Sequence, residues 1–205
     1  VIRVFVADDH ALFRAGVKMV LAAAGDIDVV GEAGDGRAVL RALGSAELAV
    51  DVLLLDLSMP RLNGLETLDQ VRALRPGLGV LVVSMHAEDL YARRVMAAGG
   101  AGYLSKGQTE RDLVDAVRTV AAGRVFLSRA HTTSTQGRRP HEGLSAREVQ
   151  IFMLLITGNS VTDIAAELDL SMSTVSTYVG RMRTKLGVDS VAEIVSYAHR
   201  EGLLD

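Results

Sequence analysis

The chain has 205 residues, 49% hydrophobic and 23% charged, with a net charge of −3. That balance excludes disorder of the whole chain, because enough apolar surface exists to offset chain entropy. With no cysteine there is no disulfide framework and no thiolate chemistry, and no apolar run approaches the roughly 18 residues that span a bilayer. The first residues lack the charged-then-apolar layout of a secretory signal, so a cytoplasmic address is expected. Only three lysines occur, Lys18, Lys106 and Lys185.

Over the first 127 residues, short β-rich runs at 2–7, 29–33, 52–55, 80–84 and 101–104 alternate with helix-like stretches. The first stretch puts Phe13, Val17, Val20, Leu21 and Ala24 on one helical face. The last does the same with Leu113, Val117, Val120 and Ala121, entered through an N-cap at Thr109. Five strands alternating with five helices predict an α/β, doubly wound parallel sheet covered on both faces. Near-continuous apolar runs suit such buried strands.

Residues 128–142, SRAHTTSTQGRRPHE, are polar with Gly and Pro, and read as a flexible linker. From 143 to 205 the pattern is all-α, with four helices. Ser145 and Glu148 fit a capping box ahead of the apolar run 149–156, which closes at Gly158. Ser160 opens a short second helix with Ile164, Ala165 and Leu168 inward. A turn over 169–172 leads into a third helix that runs to Leu186 and stops at Gly187. The fourth carries Val191, Ile194, Val195 and Ala198 at i, i+3, i+4, i+7. Two helices joined by a tight turn make a helix-turn-helix candidate.

In open parallel sheets, sites form at the C-terminal ends of the strands. Here the first strand ends in Asp8-Asp9, the third in Asp56 and the fourth in Ser84, and the fifth closes near Lys106. Converging carboxylates repel one another unless a cation joins them, and their hard oxygens suit Mg²⁺. Each Asp alone is explained as a cap for the loop that follows; the set together is not. The combination suits phosphoryl transfer to a carboxylate, with Asp56 as nucleophile and the adjacent Asp8 and Asp9 as metal holders.

Val6-Ala-Asp-Asp-His10, Leu54-Leu-Asp56-Leu-Ser-Met-Pro60, Val82-Val-Ser84 and Ala101-Gly-Tyr-Leu-Ser-Lys106 resemble the receiver domain of bacterial two-component response regulators, over residues 1 to about 122. The resemblance implies a flavodoxin-like, CheY-like fold, with Asp56 as phosphoacceptor. It further implies that Asp8, Asp9, Asp56 and the Ser58 carbonyl hold Mg²⁺, with Ser84 as switch hydroxyl, Tyr103 as switch aromatic and Lys106 as phosphoryl partner. A phosphoryl group on Asp56 would draw Ser84 and Lys106 inward and open space for Tyr103 to turn. Ser58 and His86 hold the positions that tune acyl-phosphate lifetime in receivers. Gly107 stands where many receivers have Pro.

In the third C-terminal helix, stepping 100° per residue puts Val175, Val179, Met182 and Leu186 on a buried face. Ser173, Thr177, Gly180, Arg181 and Thr184 lie opposite, flanked by Ser176, Arg183 and Lys185. Small and hydroxyl residues let such a helix sit deep in a DNA major groove while basic ones reach phosphates; a surface helix with solvated charges is the plainer alternative. Leu144-Ser-Ala-Arg-Glu148, Ile164-Ala-Ala-Glu-Leu168, Ser173-Thr-Val-Ser-Thr-Tyr178 and Lys185-Leu-Gly187 resemble the four-helix LuxR-type domain, and a receiver followed by it is the NarL/FixJ arrangement. By that resemblance Ser176, Thr177 and Gly180 face DNA bases, Arg181 and Lys185 the backbone, with Thr174 also among the DNA-binding residues, and Val191, Ile194 and Val195 face a dimer partner.

The implied partners are a sensor histidine kinase, double-stranded promoter DNA, a second copy of the chain on activation and RNA polymerase, with no membrane. The expected function is transcription control by phosphorylation of Asp56, with no external substrate turned over. A phosphorylation-independent regulator that uses the receiver as a dimerisation scaffold is the alternative. A phosphatase acting on small esters fits poorly, because no second acid stands two residues after Asp56. Residues 143–205 hold five basic and eight acidic residues. A weak phosphate term follows, and hence weak monomer binding rescued by pairing on a two-fold site.

Overall fold

Apolar runs that alternate with 3.6-period stretches become strands and helices where the pattern places them. The computed structural model describes residues 1–85, 88–127 and 140–203. The chain divides into two compact units, Val1–Thr133 and Ser134–Asp205.

The first unit runs β1 (Ile2–Ala7), α1 (Ala11–Ala23), β2 (Ile27–Ala33), α2 (Gly36–Leu43), β3 (Val52–Leu55), α3 (Gly64–Leu74), β4 (Gly79–Ser84), α4 (Glu88–Ala97), β5 (Gly102–Ser105) and α5 (Glu110–Ala121). The sheet is wholly parallel, in the order β2-β1-β3-β4-β5. Because the order reverses at β1 and β3, a crevice opens at the carboxyl ends of those strands. Val4, Val6, Leu54, Leu81, Val83 and Leu104 pack one face of the sheet against Val17 and Leu21 of α1 and Leu113, Val117 and Val120 of α5. These are the apolar helix faces read from the sequence. Thr109 and Asp112 close a reciprocal capping box on α5.

Three strands start at other residues than expected. β2 begins at Ile27, whose buried side chain the exposed Asp28 separates from the apolar run. β4 begins one residue earlier than expected, at Gly79, and β5 one residue later, at Gly102. A Cβ on Gly79 would lie 2.7 Å from Val120 Cγ1, and one on Gly102 2.7 Å from the Phe126 carbonyl. Close tertiary approach, not turn geometry, explains both residues.

In the second unit a 3-10 turn, Pro140–Gly143, precedes α6 (Ala146–Ile156), α7 (Val161–Glu167), α8 (Met172–Leu186) and α9 (Val191–Arg200). Ser145, Ser160, Ser171 and Ser190 are the N-caps, each accepting a hydrogen bond from a backbone N–H three residues on. Gly187 ends α8 in the left-handed region, φ 69°. Ile164, Leu168, Val175, Val179, Met182 and Leu186 are buried together with Val149 and Phe152. On α9 the inner face is Ile194, Tyr197 and Ala198, while Val191 is exposed. Tyr197 takes the place expected for Val191 because its hydroxyl meets the buried His141, Nδ1 to Oη 2.8 Å. Residues 128–139 of the expected linker, and His86, lie outside the described residues. Among the described residues no helix is long and apolar enough to cross a membrane.

Candidate functional site

The parallel ladders run one residue past the strands and so fix the pocket. Asp8 N–H donates to the Ala33 carbonyl (3.0 Å), Asp56 N–H to Ala7 (2.8 Å) and Lys106 N–H to Ser84 (2.8 Å). Asp8, Asp56, Ser84 and Lys106 are thereby brought to one end of the sheet. Asp8, Asp56 and Ser84 are 2% exposed or less. Lys106 Nζ reaches Asp8 Oδ2 at 2.6 Å and Asp56 Oδ1 at 3.4 Å. The peptide after it, to Gly107, is trans.

Burial pushes the Asp56 carboxyl up to about 6; Lys106 opposes this, while Asp8 and Asp9 add to it. Among the described residues Asp56 Oδ2 has no hydrogen-bond donor. Ligand atoms of Asp8, Asp9, His10 and Asp56 all lie within 4.8 Å of one another. An orphaned buried oxygen among hard carboxylates fits a divalent cation. Ser58 is half-buried two residues after Asp56. Tyr103 has no exposed surface.

Several supporting residues escaped the sequence reading. The Phe13 ring, expected only as core, has Lys106 Nζ 4.5 Å from its centroid. Arg14 donates to the Asp8 carbonyl at 2.7 Å. Gly64 admits α3 against the loop that carries Asp56, since a Cβ there would lie 2.2 Å from the Asp56 carbonyl oxygen. Tyr91 of α4 is fully buried; its phenol is pushed well above its usual value by burial first, then by Tyr103, with Asp56 also contributing. Only Phe13 and Gly64 left a local signal, as an aromatic on the helix face and a glycine after an Asn cap. Beside Lys106 a cavity of about 600 Å³ opens between α1 and α5, bordered by Phe13, Leu113 and the exposed Leu12 and Met85.

On α8 the face opposite Val175, Val179, Met182 and Leu186 carries exposed Ser173, Ser176, Thr177, Gly180, Arg181 and Thr184. Thr174 is half-buried, its hydroxyl 2.7 Å from Ser171 Oγ in the cap. Thr177 and Thr184 donate their hydroxyls to carbonyls four residues back, Ser173 and Gly180. Arg181 lies over the Tyr178 ring at 5.8 Å. Lys185 does not project freely: its Nζ is 2.5 Å from Oε2 of the buried Glu148. Burial alone would raise the Glu148 carboxyl, but Lys185 and Ser145 outweigh it and hold the group below the usual range. Lys185 therefore ties α8 to the capping box of α6. Ile194 has no exposed surface and packs inside its own unit, so its side chain is not available to a dimer partner; Val191 and the half-buried Val195 are.

Residues 4–118 match the response regulator receiver domain family, and residues 142–198 match the luxR family of bacterial regulatory proteins. Response regulator UvrY of Escherichia coli K12 is 35% identical, with 98% of this chain and 95% of UvrY covered. The probable transcriptional regulatory protein NarL of Mycobacterium tuberculosis is 39% identical, with 100% and 96% covered. Among solved structures, RcsB of Salmonella enterica serovar Typhimurium, bound to promoter P1flhDC in the presence of the phosphomimetic BeF3-, has a TM-score of 0.69. It is 27% identical, with 96% and 97% of the two chains covered. With both families matched in order and relatives alike over their full length, the chain belongs to the NarL/FixJ family of two-component response regulators, a receiver followed by a LuxR-type helix-turn-helix domain.

Proposed function

We propose that Asp56 accepts a phosphoryl group from the phosphohistidine of a sensor histidine kinase, and that this promotes dimerisation and binding of promoter DNA through α8. The observation that carries the reading is the convergence of buried Asp8 and Asp56 on Lys106, 2.6 and 3.4 Å away, with the exposed Asp9 carboxylate in the same cluster. An Asp56 carboxylate oxygen attacks phosphorus, the phosphorus–nitrogen bond breaks, and the imidazole nitrogen leaves with the electron pair. Mg²⁺, held by Asp8, Asp9, Asp56 and the Ser58 carbonyl, would withdraw charge from the phosphoryl oxygens. Lys106, drawn from Asp8 and steadied by Phe13, neutralises a further oxygen. Ser84 follows the phosphoryl group, and Tyr103 with Tyr91 beside it carries the change to α4 and β5. The apolar cavity beside Lys106 supports approach of the kinase from the side of α1 and α5.

In the second domain Ser176, Thr177 and Gly180 are assigned to bases and Arg181 to the backbone, with Thr174 at the DNA-facing start of α8. Lys185 is a lesser backbone contact because Glu148 takes its charge. Val191 and Val195 are assigned to the dimer contact. The domains are assigned to 1–127 and 143–205; of the expected linker 128–142, residues 140–142 belong with the second domain, because His141 is buried against Tyr197. The protein is cytoplasmic and catalyses only its own phosphorylation and dephosphorylation. RcsB, solved on promoter DNA, supports the DNA assignment.

Intact-mass titration with a small phosphodonor and Mg²⁺ tests the proposal. Wild type is expected to gain one phosphoryl group and Asp56→Asn none. Stoichiometric labelling of Asp56→Asn would move the acceptor elsewhere. Absence of labelling in wild type, once rapid hydrolysis is excluded, would favour the scaffold reading.

A further inference from the structure

His10 stands at the mouth of the pocket with no task in that scheme. It occupies the N-cap position of α1 but makes no side-chain cap bond, and its side chain is 67% exposed. Its Nδ1 lies 2.8 Å from Asp9 Oδ1 and 3.3 Å from Asp8 Oδ1. An octahedral ion with ligands at about 2.1 Å spaces adjacent ligand atoms about 3.0 Å apart and opposite ones about 4.2 Å apart. A tetrahedral ion spaces them about 3.4 Å apart. The two separations match neighbouring ligands on one ion, a spacing that a His–carboxylate hydrogen bond shares. Independently, the 98%-buried Asp56 contributes to the same cluster a carboxylate whose Oδ2 has no donor among the described residues.

We propose that His10 Nδ1 is a nitrogen ligand in this pocket, so that the receiver takes a borderline transition cation of the Mn²⁺ to Zn²⁺ series more tightly than Mg²⁺. The inference rests on the reading of Asp8, Asp9 and Asp56 as a metal site. Mg²⁺ prefers oxygen ligands and retains water, so it draws little from an imidazole. Ni²⁺, Co²⁺ and Zn²⁺ gain from one, and their affinities for mixed nitrogen and oxygen sites exceed that of Mn²⁺. His10 then fills a position that Mg²⁺ leaves to water, and the two kinds of ion compete for the receiver. If His10 only hydrogen-bonds Asp9, its removal affects both ions alike.

The test is calorimetric titration of the full chain with NiCl2 and with MgCl2, without phosphodonor. Wild type is compared with His10→Ala, and an Asp9→Asn/Asp56→Asn variant identifies Ni²⁺ bound by the other four of the five histidines. Since His10 is exposed and makes no cap bond, alanine there does not threaten the fold. The pocket is expected to bind Ni²⁺ at least about tenfold more tightly than Mg²⁺, and His10→Ala to cost about tenfold or more for Ni²⁺ but under about threefold for Mg²⁺. Pulsed electron paramagnetic resonance of the Mn²⁺-loaded chain should detect a directly bound imidazole nitrogen that His10→Ala removes. Ni²⁺ affinity indifferent to His10, or no nitrogen coupling, overturns the inference while normal Mg²⁺ binding leaves the metal pocket standing. Failure of wild type to bind either ion would remove both.

Discussion

The receiver pocket buries its reactive groups, whereas α8 keeps the groups meant for a partner on the surface. Asp8, Asp56 and Ser84 are shut in at the sheet end with Lys106 over Phe13. Ser176, Thr177 and Arg181 stand in solvent, while Val175, Val179, Met182 and Leu186 anchor their helix from the other face. Buried charge costs stability unless it is fully paired, so in the pocket function and stability pull against each other. On α8 the two are carried by opposite faces and separate cleanly.

Asp56 is held at about 6, above its unfolded value near 3.8. The raised group stabilises the fold most when protonated, at a pH below its unfolded value. That contribution is lost as pH rises through the folded value, so at pH 7 the ionised carboxylate costs about 3 kcal/mol. Asp56→Asn should therefore raise the unfolding free energy at pH 7 by about 2 kcal/mol while abolishing labelling. Urea unfolding at pH 7 and at pH 4 checks the sign, because the advantage of the variant should close at the lower pH. A variant less stable than wild type at pH 7 would show that the pocket is not under this electrostatic strain. Added Mg²⁺ should narrow the gap by stabilising wild type alone.

Lys185→Ala is expected to behave as a stability variant, although it lies on the helix assigned to DNA. It leaves the Glu148 carboxylate 2% exposed with only the capping contacts of Ser145. Because the Lys185 side chain is 40% exposed, the loss should be about 2 kcal/mol, below that for a wholly buried pair. Thermal unfolding of wild type and variant measures it. Arg181→Ala should leave stability within about 0.5 kcal/mol, lower DNA affinity about fivefold and reduce the salt dependence by about one counterion. Fluorescence anisotropy at several salt concentrations separates the two. If Lys185→Ala changed only the salt slope, Glu148 would not be its main partner.

The same contrast decides what was legible from sequence. Strand ends carrying Asp8, Asp9, Asp56, Ser84 and Lys106 could be read because parallel strands announce themselves as apolar runs and the fold puts their ends together. The buried face of α8 was legible because a 3.6 period is local. Partnerships across long stretches of chain were not. Lys185 meets Glu148 across 37 residues, and Lys106 meets Phe13 from another strand–helix unit. No periodicity records such pairs. Ile194 was assigned to a dimer for a related reason, since a helix pattern shows that a residue is apolar without showing which neighbour covers it. Gly79 stays outside its strand in the sequence pattern until the group pressed against its Cα atom is in place.

Gly180 gives the smallest effect and the closest test of the α8 face. It lies mid-helix and exposed, and a Cβ added there meets nothing within 4 Å. Glycine in a helix interior costs about 0.5–1 kcal/mol relative to alanine, so Gly180→Ala should stabilise the second domain by that amount. The new methyl would lie among Ser176, Thr177, Arg181 and Thr184, where the proposal brings α8 against base edges. A stabilised variant with DNA affinity reduced severalfold would mean that the helix approaches the groove closely enough for one methyl to matter. A stabilised variant that binds as wild type would keep α8 at the phosphates, with Arg181 rather than the small-residue face making the contact.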